Sequence, residues 1–122
     1  MTLLWIAIGG AIGSVGRYGV ASWAAQRLGP GPLGIFIVNV TGAFLIGFVM
    51  IATENRFTLS LDTRRFIAVG LLGGYTTFST LMYETMVLVE AGDYPRAIAN
   101  SLGSLAVGLV AVALGIALAR AL

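Results

Sequence analysis

Residues 33–53 and 97–119 contain no charged side chain, and this limits what the chain can fold into more than any other feature. A helix rises ~1.5 Å per residue and a hydrocarbon layer is ~30 Å thick, so about 20 apolar residues cross it. Each stretch is long enough alone. Two further runs are less regular. Residues 1–16 are uncharged, then meet Arg17 and continue mildly apolar to Ala25; residues 66–83 are uncharged but laced with Gly, Thr and Ser. With 58% hydrophobic and only 10% charged residues in a chain of 122, a water-soluble fold would expose too much apolar surface. The expected architecture is one all-α membrane domain over residues 1–122, with spans near 3–27, 33–53, 65–90 and 95–120.

Several chemistries are excluded at once. The chain has no Cys, hence no disulfide, thiolate metal site or cysteine nucleophile, and no His, the commonest acid-base group and metal ligand. No nucleophile-base pair or carboxylate pair can be assembled, so an enzyme is not expected. The N-terminal run lacks a basic residue ahead of it and three further spans follow, so it reads as a retained first helix rather than a cleaved signal. All seven basic residues are Arg and the net charge is +2, with no polybasic patch for nucleic acid. Four spans put Arg56, Arg64, Arg65 and Arg120 on one side of the membrane and Arg27 and Arg96 on the other. That bias favours an inside N-terminus only slightly, and a chain inserting in both directions is compatible with it.

Along the first span, Gly9, Gly10, Gly13 and Gly16 fall on one strip. Helices in lipid associate mainly through close van der Waals approach, which small residues permit. Gly29-Pro30-Gly31-Pro32 is a tight break, since Pro removes donors and Gly frees torsions. In the second span Asn39, Gly42, Ala43 and Ile46 share a face. Thr58, Ser60 and Asp62 precede the third span as candidate caps. Pro95 suits the first turn of the fourth, where Asn100 and Ser104 lie on one face with Gly108 next in line.

The third span is the anomaly. Its apolar run reaches Leu72 and then meets Gly73-Gly74-Tyr75-Thr76-Thr77-Phe78-Ser79-Thr80, where a continuous helix is least favoured. Each unsatisfied backbone group in hydrocarbon costs several kcal/mol, so a break near the midplane is tolerable only inside protein or beside a water-filled cavity. Freed carbonyls there suit a small cation, and exposed N–H groups suit an anion. A Gly pair that merely permits close helix crossing is the plainer reading.

That block with Tyr83-Glu84 behind it, Gly13 with Arg17-Tyr18 in the first span, and Val38-Asn39 with Gly42-Ala43-Phe44 in the second resemble the Fluc (CrcB) fluoride channel family. The resemblance runs the length of the chain. It implies an antiparallel, dual-topology homodimer of four-span subunits in the inner (plasma) membrane. Two fluoride pores would be lined by both subunits, with one structural sodium ion at the dimer centre. The implied function is passive, fluoride-selective export that relieves fluoride toxicity. The implied sodium ligands are the backbone carbonyls of Gly73 and Thr76; carbonyl oxygens suit a hard cation.

By the same resemblance Phe78 is a pore aromatic, offering the positive ring edge to an anion, and Asn39 is a pore amide whose NH2 donates. Ordinary packing for Phe78 and an interhelical hydrogen bond for Asn39 are the alternatives. Leu81 stands where the family pattern has a second Phe. Thr80, Asn100 and Ser104 resemble the polar track, ahead of Thr77 and Ser79. Arg17 matches a vestibular Arg that attracts anions, with snorkelling or pairing with Glu84 as alternatives. Glu84 has no assigned mechanism. The rival function is a proton-coupled small multidrug transporter, also a four-span dimer, which would want a carboxylate in its first span. A non-transporting assembly subunit would rest on the Gly-rich faces alone.

Overall fold

A backbone in hydrocarbon must satisfy its own donors and acceptors, and so each apolar run becomes a helix. The computed structural model describes residues 1–55 and 57–122; Arg56, counted above for orientation, lies outside them. Helix α1 (Thr2–Leu28) is followed by α2 (Leu33–Asn55). The third span is assembled from pieces: α3 (Leu61–Arg65), a π-helical stretch (Phe66–Leu72), the single turn α4 (Gly73–Tyr75), and α5 (Phe78–Glu90). Helix α6 (Tyr94–Ala121) completes the chain. Four of these units, with Leu61–Glu90 taken as one, are long and apolar enough to cross a membrane.

Local signals set the ends. The turn after α1 needs a positive φ, which Gly29 supplies at 90°. The third span begins at Leu61 rather than 65, because the Ser60 side chain caps it by accepting from Thr63 N–H at 3.2 Å. Asp93 caps α6 in the same way, accepting from Arg96 N–H at 3.3 Å, with Pro95 in the first turn. Ion pairs sit at the span ends: Arg64 with Glu54 at 3.5 Å, Arg65 with Asp62 at 3.9 Å and Arg96 with Asp93 at 3.6 Å. Beside them, Thr2 Oγ1 donates to Asp62 Oδ1 at 2.7 Å and ties the start of α1 to the start of α3.

The helices pack through glycine. Helix α1 lies against the first half of the third span, and α2 against α6. A Cβ on Gly9 would sit 2.6 Å from Phe66 O and 3.1 Å from Gly70 Cα. On Gly70 it would meet Ile6 O at 2.8 Å, and on Gly74 it would meet Gly10 O at 2.6 Å. A Cβ on Gly47 in α2 would sit 2.5 Å from Val112 O in α6. Backbones at this separation leave no room for side chains, so the glycine strip of α1 is a seam against the third span. Large apolar side chains such as Leu4, Ile12, Leu109 and Leu114 project outward, as expected where lipid is the solvent.

The seam gives a direct test. Gly74→Ala places its methyl against the α1 backbone, which cannot yield without moving the helix. Overpacking of this kind costs about 1–3 kcal/mol. Gly19→Ala on the same α1 helix meets nothing within 4 Å. Thermal unfolding of the purified protein in detergent is expected to show a clearly lowered midpoint for Gly74→Ala and an unchanged one for Gly19→Ala.

Candidate functional site: the break in the third span

The helix opens at Thr76 and Thr77. Thr76 takes φ −79°, ψ 157° and Thr77 takes φ −152°, ψ 122°, both extended. This is the middle of Leu61–Glu90, where the sequence shows its hydrophobic gap. The π-helical turns just before it already depart from α geometry, a deviation frequent near functional sites.

Several backbone groups at the break meet partners from other elements. Thr76 N–H still reaches Leu72 O at 3.0 Å. Thr77 N–H, which an unbroken helix would give to Gly73 O, goes instead to Asn39 Oδ1 at 2.8 Å. Asn39 Nδ2 donates back to Thr77 O at 2.9 Å, so one side-chain amide holds both backbone groups of one residue. Thr77 Oγ1 caps α5 by accepting from Thr80 N–H at 3.3 Å. Arg17 Nη1 donates to Thr76 O at 3.1 Å. Among the described residues no carboxylate forms an ion pair with Arg17; the pairing with Glu84 weighed above is not formed.

The break opens into a groove of about 820 Å³ between α2, the third span and α6. Asn39, Gly42, Ala43 and Ile46 all line it, as their shared helix face requires. Gly73, Thr76, Phe78, Leu81 and Ser104 line it as well. Phe78 is 73% exposed, whereas Leu81 is 8% exposed. Ser104 is buried, and its hydroxyl has no hydrogen-bond partner among the described residues. The Asn39 amide keeps a second N–H beyond the one given to Thr77.

Other sequence candidates fall outside this groove. Thr80 Oγ1 lies 3.2 Å from Thr77 Oγ1. Asn100 is buried and donates to Thr85 Oγ1 at 2.9 Å. It lines a separate cavity of about 270 Å³ with Arg96 and Phe36. Arg17 reaches the break from α1 and is bound to the carbonyl of Thr76.

Gly42, on the face it shares with Asn39, lies under Thr76 and Tyr75, with the ring Cδ1 3.3 Å from where its Cβ would be. Sequence reasoning missed two contributions. Thr41 and Tyr75 share a hydroxyl contact at 2.9 Å that braces the turn before the break. Ser101 lines the groove one turn from Ser104, and that spacing was the available signal.

The Asn39 pairing carries the break. Asn39→Leu removes a donor and an acceptor together and strands both backbone groups of Thr77, each costing about 1–3 kcal/mol when buried. The variant is expected to unfold at a much lower temperature than wild type in detergent. Asn39→Asp, which keeps the acceptor for Thr77 N–H but loses the donor to Thr77 O, is expected to fall between the two.

Residues 4–116 match the family described as CrcB-like protein, Camphor Resistance (CrcB). A relative from Roseiflexus sp. (strain RS-1), named fluoride-specific ion channel FluC, is 46% identical over 100% of this chain and 99% of its own length. The protein of that name from Parabacteroides distasonis is 48% identical over 93% of this chain and 88% of its own. The one from Thermus thermophilus is 45% identical over 98% and 94%. On a match of this extent, and with relatives aligned almost end to end, the chain belongs to the CrcB family.

Proposed function

We propose that this chain is a passive, fluoride-selective channel that lets cytoplasmic fluoride leave the cell. The observation that carries the reading is the break at Thr76 and Thr77, opening on a groove that also holds an exposed Phe78 and the unpaired Ser104 hydroxyl. The relatives' name, fluoride-specific ion channel, supports the ion. Transport rather than catalysis is the work of this family.

Fluoride is small and strongly hydrated, so a pathway must replace water donors without trapping the ion. Several weak stations conduct better than one deep site. In this reading the free N–H of Asn39, the Ser104 hydroxyl and the ring edge of Phe78 take turns as those stations. Thr80 and Asn100 continue the polar track away from the groove, and Arg17 draws anions toward the vestibule. Leu81 forms a dry constriction without a polarised edge.

A groove of this size with an exposed aromatic in it is not a finished pore. The reading therefore includes a homodimer, antiparallel and inserted in both orientations in the inner membrane, whose second subunit closes each pathway. The small Arg asymmetry between the two sides accords with dual insertion. A structural sodium ion belongs to the same reading, and the donor set fits one. Gly73 O has lost its helical partner to Asn39, and Thr76 O keeps a second lone pair beside the bond from Arg17. Those carbonyls would hold the ion as hard oxygen ligands, and its charge would bind the two subunits together. The small multidrug transporter lacks its main requirement, since α1 contains no Asp or Glu.

Two measurements test the channel. Liposomes containing the purified protein are expected to release fluoride rapidly on dissipation of the potential while retaining chloride; equal chloride flux would end the assignment. Phe78→Ile is expected to reduce fluoride flux at least tenfold while the protein elutes from a sizing column at the wild-type volume. Unchanged conduction by that variant would remove the aromatic from the mechanism.

A further inference from the structure

We infer that Arg17 is a specificity-determining residue of the cation site at the break: it weakens that site for sodium and closes it to divalent ions. The inference rests on the reading of Gly73 and Thr76 as sodium ligands. Its own observation is independent of that reading, namely that one of the two proposed ligand oxygens, Thr76 O, already accepts a hydrogen bond from a guanidinium at 3.1 Å.

The contact comes from the packing of α1. The glycine seam brings α1 against the third span at backbone distance, with Gly70 Cα 3.1 Å from the Cβ position of Gly9 and Gly10 O 2.6 Å from that of Gly74. Two turns beyond Gly10, Arg17 reaches the extended Thr76, with Nη1 3.1 Å from Thr76 O. It is half-buried, and among the described residues no Asp or Glu pairs with it. Its positive charge is therefore uncompensated except by the carbonyl itself.

A cation on Thr76 O thus shares an oxygen with a fixed positive charge. A like charge within ~4–6 Å disfavours the second charge in proportion to its magnitude. The repulsion felt by a divalent ion is twice that felt by sodium, and the site offers no carboxylate to offset it. Among the described residues no group of three or more acidic, Cys or His side chains could hold a metal ion. Neutral carbonyl oxygens are ligands for calcium as well as for sodium, and Arg17 adds a charge that weighs against the divalent ion.

The test uses the full-length protein purified in detergent, with sodium replaced by N-methyl-D-glucamine at constant ionic strength and unfolding followed through Trp5 and Trp23. Wild type is expected to gain thermal stability with sodium and none with millimolar calcium. Arg17→Gln is expected to reach half of its sodium-dependent gain at a concentration at least tenfold lower, and to respond to calcium. An Arg17→Gln protein that needs as much sodium as wild type and ignores calcium overturns the inference while leaving the sodium reading intact. Wild type stabilised by calcium as well as by sodium overturns it without any variant, so the test survives a variant that fails to fold. Wild type stabilised by no cation removes the sodium reading itself, and this inference with it.

Discussion

The two hydrogen bonds between the Asn39 amide and the backbone of Thr77, at 2.8 and 2.9 Å, make the rest of the architecture possible. A helix interrupted in hydrocarbon releases donors and acceptors that water cannot reach, at several kcal/mol each. A primary amide is the one neutral side chain that copies the donor-acceptor pattern of a peptide group. Asn39 therefore continues the ladder sideways, from another helix, where the third span cannot continue it along its own axis. Thr77 Oγ1 capping α5 and Arg17 on Thr76 O add two more bonds. These partners come from three different spans, and Gly73 O is left without its helical donor.

This arrangement explains why glycine is concentrated where it is. Asn39 and Arg17 are short of reach unless α2 and α1 approach the third span closely. Gly42 lets α2 come under Thr76 and Tyr75, while Gly9, Gly70 and Gly74 let α1 come to backbone contact. The glycines contribute little energy themselves. They set the separation at which polar groups from neighbouring spans can meet the break.

Much of this was legible in the sequence. Four spans followed from charge-free length, and the opening at Thr76 and Thr77 followed from the Gly pair and hydroxyl run. The face shared by Asn39, Gly42, Ala43 and Ile46 followed from helical periodicity, and all four line the groove. What stayed hidden was the identity of long-range partners. Asn39 and Thr77 are 38 residues apart, Arg17 and Thr76 59, and periodicity within one helix says nothing about which turn of another helix it faces. For the same reason Asn100 and Ser104, which share a face of α6, were expected along one path. Of the two, the groove reaches Ser104 only, because one turn nearer the start of α6 Asn100 meets Thr85 of α5 and is spent on it.

The division between engaged and free polar groups is the feature that separates a scaffold from a pathway. At the break, side chains are fixed: Asn39 is held at two points while one of its N–H groups stays free, and Thr76 Oγ1 bonds back to Leu72 O at 2.9 Å. Groups in that state cannot rotate to follow a passing ion without stranding a buried partner. Elsewhere in the same groove the situation reverses, with Ser104 unpaired among the described residues and Phe78 uncovered. An ion that must remain suits the first environment, where its ligands are fixed by the same bonds that hold the helix ends. An ion that must move suits the second, where no protein group has to be displaced for it to enter or leave. The single interruption of the third span creates both environments, because terminating one helix frees carbonyls and starting the next exposes the side chains of its first turn.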